Sequence, residues 1–177
     1  AYHADPALGT PGMPGVSSMS SAMHTSHAKR TVKPGVNAAN AKTKDNTCYN
    51  CHPGVETQCF RDVHYARGMT CQSCHGDMKK VGDPSRTPWA QEPRCDRYHN
   101  VPGHEYEQPG KLFRDSVGHK GVKCVVCHNS PHVIYPAVTD RDNQQMNRVQ
   151  GRSGTLSTCS VCHTKQPEHP FFHKRES

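Results

Sequence analysis

The chain has 177 residues, the length of one domain, yet only 32% are hydrophobic and the mean hydropathy is −0.88. Composition of this kind excludes an ordinary side-chain core, and apolar runs of only a few residues exclude a membrane-spanning helix. With 22 basic against 15 acidic residues the formal charge is +7, which alone points to nucleic acid or an anionic surface, while 14 Gly and 14 Pro point to partial disorder.

Residues 1–47 are rich in Ala, Gly, Pro, Ser and Thr, and read as an extended N-terminal arm, ordered by a neighbouring subunit. The arm carries His3, His24 and His27. From residue 48 to 177 the chain is organised by four copies of one motif: Cys48–Cys51–His52, Cys71–Cys74–His75, Cys124–Cys127–His128 and Cys159–Cys162–His163, each C-x-x-C-H. Two thiols one helical turn apart can add across the two vinyl groups of a haem while the adjacent imidazole meets the iron. Zinc sites or a disulfide framework could use the same cysteines, but neither demands a His after every second Cys. Four covalent haems c then replace the missing core, and their propionates offset the positive charge, so nucleic acid is not expected as a partner.

Between the motifs, residues 56–67 are expected to form a helix with Cys59, Val63 and Ala66 on one face and Gly68 as its stop. His64 on this segment is expected as a distal ligand. Residues 77–123 read as loop, punctuated by prolines. Within them Cys95-Asp-Arg-Tyr98-His99 is the attachment motif with Tyr in place of the second Cys. The first expectation here is a disulfide between Cys95 and Cys59; the alternative is a fifth haem on Cys95 with His99 as proximal ligand. His119 and His132 flank the third motif and are expected as distal ligands of it or of a neighbour. A helix over 141–150, ended by Gly151, should pack Met146 and Val149. His24, His27, His99, His104 and His173 are candidates for the remaining distal position.

The residues around these motifs, Cys51-His52-Pro-Gly, Cys74-His75-Gly-Asp-Met, Ser116-Val-Gly-His119, Cys127-His128-Asn-Ser-Pro-His132 and Cys159-Ser-Val-Cys162-His163-Thr, resemble the multihaem c-type cytochromes of anaerobic bacteria and archaea. The resemblance spans residues 48–166. It implies bis-His low-spin haems in parallel and T-shaped stacks, and a mostly irregular fold with short α-helices wrapped around stacked covalent haems and little or no β-sheet. Some of these proteins polymerise into extracellular filaments.

Fourteen histidines supply four proximal and ample distal ligands, so every iron can be closed, which suits an electron carrier rather than an enzyme. Met69, Met78 and Met146 are alternative ligands. Covalent haem attachment implies export, and Ala1 reads as the start of a processed chain. Expected roles are a homopolymeric extracellular filament built through the arm, or else a periplasmic shuttle or reductase subunit meeting redox partners. A multihaem reductase with an open iron is the enzymatic rival.

Overall fold

A computed structural model describes residues 2–28, 48, 51–52, 62–102 and 105–173. Its α-helices are short: α1 (Met19–Ala28), α2 (Val63–Ala66), α3 (Cys71–His75), α4 (Met78–Val81), α5 (Cys124–His128) and α6 (Gln144–Gln150). Single 3₁₀ turns lie between them. Among the described residues there is no strand, only isolated bridges between Asp5 and Thr10 and between Val117 and Lys123. The expected class, mostly irregular with short helices and little sheet, is what the chain adopts.

The chain divides into two compact units, residues 1–56 with 70–93, and residues 57–69 with 94–177. In the first unit α1 is a difference from the expected extended arm. Ser18 caps it, its Oγ accepting from the Ser21 amide at 3.1 Å, and Ala and Met are adequate helix formers. The helix docks through hydroxyls rather than apolar side chains. Ser21 Oγ and Thr25 Oγ1, one turn apart, both donate to the Gly82 carbonyl, at 2.7 and 2.9 Å. Gly82 follows α4 and lets α1 approach closely, since a Cβ there would lie 2.7 Å from the Thr25 amide nitrogen. The loop expected over 77–123 is interrupted by α4, which Asp77 caps by accepting from the Lys80 amide at 2.8 Å.

In the second unit the buried apolar side chains are few, namely Phe113, Tyr135 and Met146, and buried polar residues do much of the joining. Asp62 accepts from the Val138 amide at 2.7 Å. Asn143 donates to the Thr139 carbonyl at 2.7 Å and accepts from the Gly154 amide at 2.9 Å, tying α6 to the approach to the fourth motif. Gly151 ends α6 in the left-handed region, at φ 73°, as its position in the sequence implies. Met146 is buried, but Val149 is exposed, because seven residues of helix turn only one narrow face inward. The α2 helix occupies the end of the expected 56–67 helix; residues 53–61 lie outside the described part.

Candidate haem sites

The motif cysteines and histidines lie on tight helical turns. In α3 and α5 the motif is the helix itself. In the first and fourth motifs the His amide donates to the carbonyl of the first Cys, His52 to Cys48 at 2.9 Å and His163 to Cys159 at 2.8 Å. This turn puts both thiols and the imidazole of one motif within reach of one macrocycle. The third and fourth motifs are neighbours: the Leu156 amide donates to the Cys127 carbonyl at 3.1 Å. Burial pushes the Cys127 thiol up, and the nearby Cys162 and Cys124 thiols raise it further. Burial also raises the Cys124 thiol.

Four pairs of imidazoles are close neighbours. Ring centres are 5.9 Å apart for His24 and His52, 6.0 Å for His64 and His99, 5.9 Å for His119 and His163, and 6.1 Å for His128 and His173. Each pair joins a histidine that closes an attachment motif, counting Cys95–His99, to one that does not. The interplanar angles, in the same order, are 10°, 50°, 90° and 27°. Ring packing couples distance to angle, since offset stacks and edge-on contacts have different optimal separations. A metal between two nitrogens does the opposite, fixing the distance and leaving rotation free. Two imidazoles binding one metal from opposite sides, each nitrogen about 2 Å away and each ring centre about 1 Å further back, have centres about 6 Å apart. The separation at each pair therefore fits a haem iron that the two imidazoles would hold between them.

Hydrogen bonds at two of these rings agree with that use, whereas the buried Nδ1 of His119 has no hydrogen-bond partner among the described residues. His24 Nδ1 lies 2.7 Å from the Ser20 carbonyl, and His128 Nδ1 lies 3.1 Å from the Tyr135 carbonyl. A carbonyl only accepts, so Nδ1 carries the proton and Nε2 is the bare nitrogen that a metal needs. The aromatic Phe171 packs on His119, centres 4.8 Å apart, and Tyr106 packs on His99 at 4.8 Å.

The other candidates are placed differently. His27 is exposed at the end of α1, with its Nδ1 2.7 Å from the Met23 carbonyl. His132 is exposed on the turn after α5, and the rings that lie about 6 Å from His128 and His163 are His173, at 6.1 Å, and His119, at 5.9 Å. His75 is exposed at the end of α3. His104 lies outside the described residues, as does Cys59 and with it the expected Cys59–Cys95 bridge. No sequence rule matched His24 to the first motif or His173 to the third, since pairing depends on how the chain folds back.

The family model described as cytochrome c554 and c-prime matches residues 15–76. That range takes in α1 and His24, which the sequence resemblance left out. The chain is also 25% identical over 138 residues to the C-type polyheme cytochrome OmcC of Geobacter sulfurreducens, covering 71% of this chain and 15% of that protein. The chain thus spans a small part of the curated relative. No solved structure matches it. Among the described residues no helix is long and apolar enough to cross a membrane. Repeated attachment motifs on haem-ready turns, together with these two matches, make the chain similar to multihaem c-type cytochromes.

Proposed function

We propose that this chain passes electrons through bis-His haems c whose irons are closed on both sides, outside the cytoplasm. The observation that carries the reading is the near-constant separation of the paired rings at widely different angles. Haem supplies the one-electron chemistry when bound; the polypeptide binds it, orients the imidazoles and holds Nδ1 of His24 and of His128 on carbonyls. In this reading His24 serves the Cys48–Cys51–His52 haem, His173 the Cys124–Cys127–His128 haem, and His119 the Cys159–Cys162–His163 haem. The haem of Cys71, Cys74 and His75 takes its distal ligand from the remaining histidines.

Two imidazoles leave no iron position for a substrate, so nitrogen or sulfur oxyanion reduction is not part of the proposal. The partners are redox proteins or extracellular acceptors. Polymerisation through the arm would call for a neighbour to order it, but residues 2–28 are held by bonds within the chain. A carrier that works as a single chain is the first reading and an extracellular filament joined through the arm the second; residues 29–47 of the arm lie outside the described part.

A reductive titration with simultaneous turnover assays tests this. The expected result is one electron taken up per haem, with no cyanide binding and no catalytic current with nitrite or hydroxylamine. Turnover of either substrate by the holoprotein would replace the carrier reading by an enzymatic one, and regular filaments in negative stain would restore the polymer.

A further inference from the structure

We propose that Cys95-Asp-Arg-Tyr98-His99 is a fifth haem site, in which the macrocycle hangs on a single thioether from Cys95 between His99 and His64. The inference rests on reading the complete motifs as haem sites and adds one to them.

Three observations converge. The backbone of the incomplete motif is that of a complete one. The His99 amide donates to the Cys95 carbonyl at 2.8 Å, as His163 does to Cys159 at 2.8 Å. Tyr98 has φ −112° and ψ −25°, against φ −119° and ψ −22° for Cys162, the second cysteine of the fourth motif. Both turns are 3₁₀ over the first three motif residues, Cys95–Arg97 and Cys159–Val161.

Second, His64 stands opposite His99 at 6.0 Å, inside the 5.9 to 6.1 Å range of the other three pairs. His99 thus behaves as a motif histidine and His64 as its distal partner. A turn whose haem had been lost would have no reason to keep a second imidazole at the separation an iron imposes.

Third, both ligands are held by anchors of their own. Arg94, next to Cys95, forms an ion pair with Glu107, Nε to Oε2 at 3.2 Å, and the Glu107 side chain is 1% exposed. Glu107 Oε1 accepts from the Phe113 amide at 3.1 Å, and its neighbour Tyr106 packs on His99. On the other side Asp62, two residues before His64, is fixed to the Val138 amide.

The chemistry balances with one thiol. The S–H bond of Cys95 breaks, an S–C bond forms to the vinyl carbon next to the porphyrin ring, and the hydrogen ends on the terminal carbon. No oxidant or reductant is consumed. The second vinyl group stays unsaturated, because Tyr98 offers a phenol where a thiol would add.

The test is intact-mass measurement of the holoprotein with a haemochrome spectrum. The expected mass is the chain plus five haems, and the spectrum should carry a minor component displaced to the red by the retained vinyl group. The peptide bearing Cys95 should carry a haem in the wild-type protein, a readout that needs no variant. Tyr98→Cys should leave the haem count at five while abolishing the displaced component. His64→Ala should keep the haem attached and turn one iron high-spin. Four haems with Cys95 oxidised to Cys59, or a count rising from four to five in Tyr98→Cys, would overturn the fifth site while leaving the carrier intact. A chain without covalent haem would instead overturn the reading of the complete motifs.

Discussion

His128 and Tyr135 clasp each other twice: the Tyr135 amide donates to the His128 carbonyl at 2.7 Å, and His128 Nδ1 donates to the Tyr135 carbonyl at 3.1 Å. The clasp fixes the proximal ring of the third motif, and Tyr135, 2% exposed, wedges it against the second unit's interior. Donation from Nδ1 makes the imidazole a more basic ligand, which favours the oxidised iron. Tyr135→Ala should cost about 3–5 kcal/mol of stability by opening a cavity, and it should raise the potential of one haem as the clasp loosens. Denaturation curves and a spectroelectrochemical titration check the two effects separately.

His24 lies 5.9 Å from His52 on a helix, α1, that is seated on Gly82. His24→Ala should convert one iron of the oxidised holoprotein to a high-spin, cyanide-binding form, whereas His27→Ala on the same helix should not. Gly82→Ala should act at a distance, since its methyl group would meet the Thr25 amide and hydroxyl, each 2.7 Å away. Overpacking of this kind costs about 1–3 kcal/mol, and the variant should show a partial version of the His24→Ala spectrum in electron paramagnetic resonance.

The ring of His119 faces His163, so a softer ligand there should affect one haem. Replacing an imidazole by a thioether favours the reduced iron; His119→Met should raise a single potential by on the order of 0.1 V. Potentiometry resolved by site would show whether the other haems stay nearly where they were.

Asp62 and Asp142 form a buried carboxyl pair beside α2. Burial pushes Asp142 above the ordinary carboxylate range, its hydrogen bond from Thr139 pulls it down, and Asp62 raises it again while Arg141 lowers it. The folded protein therefore holds a proton there that the unfolded chain releases at about pH 4. Stability from this site is full below that pH and is lost as pH rises through the elevated folded value. Asp142→Asn should remove the dependence and stabilise the protein at neutral pH, which melting temperatures at pH 5 and pH 7.5 will report.

The sequence made some features plain and others not. Each C-x-x-C-H names its own thiols and proximal ligand because all three sit on one turn, and Gly151 announces the end of α6 through a backbone preference that is purely local. The distal partners are spread along the chain. His119 lies five residues before the third motif yet faces the fourth, a choice made by the bonds that fold the Leu156 segment onto Cys127. Helix α1 was hidden for another reason. Its Ser and Thr, which lower composition-based expectations, are the residues that dock it, through hydroxyls on the Gly82 carbonyl. Tyr98 hid the last site in a similar way, since the motif is spelled in side chains while its turn is kept in the backbone.

The central claim, that paired imidazoles close each iron, is tested most directly by near-infrared magnetic circular dichroism of the oxidised holoprotein. The account predicts the bis-imidazole charge-transfer band alone, with an intensity matching the haem count and no high-spin signal. A methionine-type band, or a high-spin fraction equal to one haem or more, would contradict it.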